Sequence, residues 1–181
     1  MGGDRFGSGW NKITQVQQSW LAPAAASTTA GADQFDFGTA VPANLANLVQ
    51  PDYPRNLVYN LTGTFTSVAI TATGVDAQGR AATESVTITS DTNGSVAFAT
   101  VTQIRITAQT GGAGGELLDI GYGVKMGLMN AISSSADIYK TLLDGADDPV
   151  SGHTIDAVNG TVTFATAPNN THNYEAFYRG I

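Results

Sequence analysis

The sequence predicts a mainly β protein whose central part is an antiparallel β-sandwich, either Ig-like or jelly-roll-like. Apolar and polar residues alternate with a period of two from Pro51 onward, which is typical of strands with one buried face. Gly, Asn and Asp separate these runs at short spacing, as turns do in sandwiches. We expect an irregular N-terminal arm over residues 1–50, the sandwich over 51–129 and a C-terminal β extension over 130–181.

The composition favours a protein that is buried against partners. Charged residues make up 13% of the 181 residues, and burying an unpaired charge is costly, so a charge-poor surface suits contact. The net charge of −7 gives no counterion release with nucleic acid, so we expect no nucleic-acid partner. No apolar run reaches the ~20 residues of a membrane span, and the N-terminus lacks a secretory core. We therefore expect no membrane partner and synthesis in a cytoplasm.

The first 50 residues are rich in Ala, poor in charge and without a strand pattern. Asn11 is placed to cap a short helix. One face of that helix would hold Ile13, Val16 and Trp20. The arm also holds aromatic residues with too few apolar neighbours for a core of their own: Trp10, Trp20, Phe35 and Phe37. Either they tuck back onto the main domain, or they anchor the arm on another subunit. Because a connector-like segment cannot repay its ordering entropy alone, we expect the arm to order only in an assembly.

The middle of the chain carries the clearest strand pattern, with threonine on the wet faces. The predicted strands cover residues 55–62, 64–73, 82–90, 95–99, 103–109 and 116–125. Turns are predicted at residues 75–80, 91–94 and 111–115, where Gly and Asn tolerate unusual backbone angles. These elements define the predicted sandwich.

The last third, residues 130–181, is predicted to form two hairpin links. The predicted strands cover residues 154–158, 161–166 and 172–179. Residues 132–143 fit either a strand and turn or a short helix. In the final strand, Tyr174 and Tyr178 lie on one face and Phe177 on the other. A strand that is apolar on both faces needs covering on both sides, and we expect one cover to come from a neighbouring subunit.

The sequence offers no set of residues for catalysis. The chain has no cysteine, which removes thiolate nucleophiles and Cys-ligated zinc. His153 and His172 have no Gly-x-Ser-x-Gly elbow and no His-x-x-x-His spacing beside them, so each is interpreted as a loop or strand-edge residue. Residues 111–115 are rich in glycine but lack the Lys-Ser/Thr of a phosphate loop. We expect neither an enzyme nor a cofactor.

A group of aspartates near the C-terminus raises the possibility of a calcium site. The group consists of Asp144, Asp147, Asp148 and Asp156. It lacks the Asp-x-Asp-x-Asp-Gly order and the distal Glu of a dedicated calcium loop. A solvated acidic turn is therefore favoured, and no metal site is predicted.

Several segments form a recognisable series. PDYPRN at residues 51–56 precedes TGTFTSVAITATGVDAQGRAATESVTIT at 62–89, and FATVTQIRITA follows at 98–108. A glycine-rich tip then leads to GVKMGL at 123–128, and NGTVTFATAPNNTHNYEAFYRG closes the chain at 159–180. The segments up to residue 128 resemble the Thr-rich β-sandwich module of capsid decoration (cement) and other head structural proteins of tailed bacteriophages. The closing segment resembles a strand pair that is frequent in phage structural proteins.

The resemblance implies a virion protein that sits on the outer surface of a phage head, often as a trimer, and carries no catalytic residues. The implied partners are the major capsid protein and further copies of the chain in a homotrimer. The residues that we expect to make contact are Trp10, Trp20, Phe35, Phe37, Tyr174, Phe177 and Tyr178. Two alternatives stay open: a tail or fibre component and, in a different class, a glycan-binding module. Against the latter, the predicted loop tips carry Gly, Asn and Asp rather than an aromatic pair.

Overall fold

A computed structural model describes residues 14–48, 50–112 and 114–181 of the chain. The described chain is mainly β, with antiparallel sheets packed against each other as in a β-sandwich, which confirms the predicted fold class. Two short 3-10 helices, Ser135–Asp137 and Val150–Gly152, accompany the strands. Across these residues, none of the helices has the length and apolar character needed to cross a bilayer.

Thirteen strands form within the described residues, in two sheets of four and nine strands. Strands β1 to β6 are Thr14–Trp20, Phe35–Asp36, Ala43–Asn44, Arg55–Thr62, Ser67–Asp76 and Ala81–Ile88. Strands β7 to β13 are Thr92–Thr110, Leu117–Gly127, Ile138–Leu143, Ala146–Asp147, Thr154–Asp156, Thr161–Thr163 and Tyr174–Gly180. Most predicted strands therefore exist, with ends that move by a few residues.

Strand β7 corrects one prediction. The turn expected at residues 91–94, and the break between two strands after it, are replaced by a single strand of 19 residues. Gly94 serves close packing instead of a turn, because a Cβ atom there would lie 2.4 Å from a carboxylate oxygen of Glu84. The first half of β7 pairs with β4 and the second half with β5, and Phe98 pairs with both. A strand shared in this way lets one sheet fold back over its own core.

The larger core lies inside the nine-stranded sheet. Alternate residues of β4, β5, β7 and β8 face inward, including Leu57, Ile70, Ile104 and Ile120, all essentially without solvent exposure. The residues between them are mostly polar or small, as the period-two pattern predicts. Burying this many branched aliphatic side chains is the main favourable contribution to folding.

A buried carboxylate, Glu84, links three strands of the larger sheet. Glu84 of β6 accepts hydrogen bonds from the Tyr59 hydroxyl at 3.0 Å and from the backbone N–H groups of Ser95 at 2.5 Å and Val96 at 3.2 Å. Burial, and then the charge of Glu84, raise the pKa of Tyr59, so its hydroxyl keeps its proton and remains a donor. Glu84 thereby ties β6 to both β4 and β7.

Residues 14–20 form a strand and not part of the predicted helix. β1 pairs with β13 over its whole length, from Thr14 opposite Gly180 to Trp20 opposite Tyr174. Gln18 and Trp20 are buried, while Gln17 and Ser19 are exposed, which is the period of a strand. The predicted cap Asn11 lies outside the described residues, as does Ile13.

The rest of the arm closes open sheet edges. β2 pairs with β8, β3 pairs with β7, and Ser27 forms a bridge with Tyr122 of β8. Unpaired strand edges expose backbone donors and acceptors, so these short pairings satisfy groups that would otherwise stay open. Residues 14–48 thus pack against strands of their own chain.

A second core joins the chain ends. The four-stranded sheet has the order β1-β13-β9-β10, and β12 extends the larger sheet beside β8. Between these two sheets lie buried side chains from both ends of the chain and from β8: Trp20, Met126, Leu128, Val162, Phe164, Tyr174 and Tyr178. The undecided segment 132–143 contains a 3-10 helix followed by β9.

Gln18 connects the two sheets at this second core. Its amide nitrogen donates to the carbonyl oxygen of Gly127 on β8 at 2.9 Å. Its amide oxygen accepts from the backbone N–H of Met129 and from the Tyr178 hydroxyl, each at 2.9 Å. The buried amide thus bonds to the larger sheet, to its continuation and to β13, which fixes how the four-stranded sheet sits.

Replacing Glu84 with Ala should lower the free energy of unfolding by roughly 2–4 kcal/mol, because it leaves buried donors without an acceptor. Chemical denaturation measures this loss. The matched variant Glu84→Gln keeps an acceptor oxygen and should lose less. Equal losses in the two variants would show that the hydrogen bonds to Glu84 do not matter.

Candidate functional site

The structure places most of the predicted contact residues inside the chain. Trp20, Tyr174 and Tyr178 lie in the second core with no solvent exposure, and Phe35 and Phe37 are buried in the larger core. For Trp20, Phe35 and Phe37 the first interpretation of the arm applies, since they pack onto their own domain. Phe177 stays partly exposed. Trp10 lies outside the described residues.

Ring contacts explain why the arm aromatics are buried. The Trp20 ring meets Phe164 edge-on with centroids 5.5 Å apart. Phe37 stacks on Phe65 at 5.4 Å and meets Phe35 edge-on at 5.7 Å. Such pairs stabilise a core by more than their buried area alone. These rings fill positions that the strands of the two cores leave open.

One side of the four-stranded sheet faces away from the second core. We call it the outer face. Alternation along the paired strands, with the opposite side chains buried, assigns its members. They are Gln15, Gln17, Ser19, Lys140, Leu142, Asp147, Glu175, Phe177 and Arg179. It combines an aromatic ring with charges of both signs, and we take it as the candidate contact site.

His153 is a buried histidine whose ring joins separate segments. Its Nδ1 accepts a hydrogen bond from the backbone N–H of Ala165 at 2.9 Å, so the neutral ring carries its proton on Nε2. Nε2 lies 3.0 Å from Thr141 Oγ1 and 3.4 Å from a carboxylate oxygen of Asp148. The Thr141 hydroxyl donates to the Asp148 carbonyl. In this tautomer His153 donates towards Thr141 and cannot act as its general base.

The aspartates point to separate partners. Asp144 bonds to His172 at 2.6 Å, and Asp147 to Lys140 at 2.9 Å. Asp156 accepts from the side chain and backbone of Asn159 in the turn before β12. In the part of the chain that the structure describes, no group of three or more His, Cys, Asp or Glu is placed to hold a metal. Calcium binding by this group has no structural support there.

A groove of about 380 Å³ lies between the connector at Ser27 and the strands β4 and β8. Its lining is mostly apolar, with Asn60 and Asn93 at its sides. Sugar binding favours an exposed aromatic face, yet the two lining tyrosines, Tyr59 and Tyr122, are 1% and 6% exposed. Burial raises the pKa of Tyr122 to about 12, so its hydroxyl stays protonated. The groove offers no stacking platform to a glycan.

No family model, no curated protein and no solved structure matches the chain.

The sequence pattern found the aromatic residues but not which of them stay exposed. The alternation of Tyr174, Phe177 and Tyr178 was visible, and it places Phe177 opposite the two tyrosines. Both tyrosines are buried because β1 pairs with β13. The sequence predicted a helix in place of β1 and so did not predict this pairing. A substitution of Tyr178 therefore disrupts the second core and the hydrogen bond from the Tyr178 hydroxyl to Gln18, and it does not act on an exposed contact surface.

Replacing Trp20 with Ala should lower the free energy of unfolding by about 3–5 kcal/mol, since it empties a packed core position. The neighbouring variant Leu21→Ala is the control, because Leu21 is 66% exposed, and it should have almost no effect. Both are measured by denaturant unfolding of the isolated protein. A Trp20 variant as stable as wild type would show that packing of Trp20 in the second core does not stabilise the fold.

Asp144 provides a pH-dependent contribution to stability. The backbone N–H of Asn173 and then the His172 ring lower the pKa of Asp144 below its ordinary value. The contribution is thus present above the unfolded pKa of ~3.9 and is lost as pH falls through the folded value. Wild type should melt above Asp144→Asn at neutral pH, and the two melting temperatures should converge in acid. A gap that is constant with pH would contradict this.

Proposed function

We propose that this protein is a capsid decoration protein of a tailed bacteriophage, which binds the outer surface of the head and stabilises the shell. Its partners in this proposal are the major capsid protein and other copies of itself in a homotrimer. Its place is the virion, after synthesis in the host cytoplasm. It performs no chemistry.

The observation that carries the proposal is where the phage-like motifs fall in the fold. Residues 62–89 include the β5–β6 hairpin, 98–108 lie in β7 and 123–128 cover the end of β8. The closing motif, 159–180, covers β12 and β13. The segments that resemble phage proteins therefore include strands of both sheets and not the connecting loops alone. Similarity along a framework is a better guide to a shared module than similarity in turns.

The exposed surface also supports a role in contact. Charged residues are only 13% of the chain, and threonines of β5 and β7 make hydrogen bonds across neighbouring strands, such as Thr107 to the Ala69 carbonyl. A neutral polar surface costs less to desolvate against a shell than a charged one. The outer face adds the partly exposed Phe177 beside ions of both signs.

The mechanism follows from mass action. A protein that binds only the intact lattice shifts the equilibrium towards that lattice, and the effect grows with its free concentration. Copies linked in a trimer would hold each other at high effective concentration on the shell. Stabilisation then needs surface area and geometry but no reactive group.

The second candidate is a tail or fibre component, which the same strand motifs would also suit. A glycan-binding module is the candidate from another class, and the buried tyrosines of the groove weigh against it.

Purified protein added to expanded heads that lack it should bind to saturation at a fixed copy number per shell. It should also raise the temperature at which the heads are disrupted, because it binds the intact lattice. Quantitative gel analysis of purified heads gives the copy number, and a thermal release assay gives the temperature. Heads that bind no protein would contradict the proposal, and detection of the chain in purified tails would favour the second candidate.

A further inference from the structure

The outer face has a charge pattern centred on one aromatic residue. Along β13, Glu175, Phe177 and Arg179 are alternate residues and point to the same side, because Ala176 and Tyr178 between them are buried. An anion and a cation thus lie two residues before and two residues after a partly exposed ring. At about 3.4 Å per residue, each charge sits ~7 Å from Phe177 along the strand.

The neighbours of Phe177 leave this pattern available. On one side Gln17 of β1 lies opposite Phe177 and donates to Glu175 at 2.7 Å. On the other side Lys140 of β9 forms an exposed ion pair with Asp147 of the same chain at 2.9 Å.

Arg179 is an exposed cation of β13. Within the described residues it makes no salt bridge, and its charge acts on Asp137 only from beyond ion-pair distance. Half-buried Leu142, on the adjacent strand, extends the apolar part of the outer face beside Glu175. The face therefore carries an unpaired cation, an accessible anion and an apolar centre.

We propose that a second copy of this chain docks on the outer face through a two-fold contact centred on Phe177. The symmetry axis lies in the plane of the contact and runs across β13. It sets the two β13 strands antiparallel, so that Glu175 of each copy faces Arg179 of the other.

The charges select this arrangement over the other aligned one. An axis parallel to β13 would place Glu175 against Glu175 and Arg179 against Arg179, and like charges in an interface are strongly unfavourable. The antiparallel arrangement replaces both repulsions with attractions and keeps Phe177 against Phe177. It also brings Lys140, which lies opposite Phe177 on β9, close to Lys140 of the second copy, where the ion pair of each lysine with Asp147 of its own chain offsets the like charge. Sheets that pack face to face with aligned strands lie ~10 Å apart, a gap that paired Glu and Arg side chains can span. A two-fold contact is self-complementary, as this pattern is.

This inference rests on the self-association in the proposed function but not on binding to a shell. A two-fold contact and a three-fold joint are different interfaces. A dimer has the two-fold contact alone, a trimer has the three-fold joint alone, and a hexamer built from two trimers has both. The mass of the isolated protein therefore separates the two ideas.

The test is charge reversal followed by light scattering and sedimentation of the full chain. Glu175→Arg and Arg179→Glu should each raise the dissociation constant of the two-fold contact more than about tenfold, because each creates like-charge pairs. The double variant E175R/R179E should restore association, since it swaps the charges and keeps them complementary. The control Arg105→Glu changes the net charge as much as Arg179→Glu does, at an exposed position on β7 away from the outer face. It should leave the mass unchanged.

Each outcome decides the inference. Association in pairs or hexamers, lost in both single variants and regained in the double variant, supports the two-fold contact. A wild-type mass of one copy overturns it together with the homotrimer, whereas a mass of three copies overturns it and keeps the homotrimer. Pairs or hexamers whose mass ignores both single reversals, or which the double variant does not restore, place the contact elsewhere and overturn the inference. Circular dichroism confirms that each variant is folded.

Discussion

The buried amide of Gln18 is the interaction on which the joining of the two sheets depends. It bonds to Gly127 of the larger sheet, to Met129 beyond it and to Tyr178 of β13. Leaving any of these groups unpaired in an apolar core would be costly. The hydrogen bonds of Gln18 therefore fix the position of the four-stranded sheet relative to the larger sheet. Trp20 then closes the second core from the same strand. The N-terminal segment is thus a structural part of the C-terminal sheet.

Local pattern predicted what local physics determines. The alternation and turn residues located β4, β5, β6 and β8 well, and Gly79 at φ +77° confirms the turn after β5. The pattern failed where distant contacts decide. Gly94 looks like a turn residue until Glu84 packs against it from another strand. The local sequence of β1 predicts a helix, whereas its pairing with β13 makes it a strand. That pairing spans more than 150 residues of sequence, so no local window contains it.

The candidate site shows the same limit. The sequence identified the aromatic residues, but burial sorts them, and only contacts between the chain ends reveal that Phe177 faces outward while Tyr178 faces Gln18. The alternation of Glu175, Phe177 and Arg179 is visible in the sequence. Which side of β13 is buried must be known before these three residues can be assigned to an exposed face. His153 likewise gained its fixed tautomer only from Ala165, on a segment that the sequence does not place beside it.

Residues 14–48 and the C-terminal sheet form one folding unit with the sandwich. Hydrogen exchange of the isolated protein measures this most directly, because it reports the free energy needed to open each strand. The inter-strand amides of β1 and β13 should exchange as slowly as those of β8, all through unfolding of the whole domain. Fast exchange in β1 with slow exchange in β8 would contradict a single folding unit. It would indicate instead that the segment containing β1 becomes ordered only on a partner.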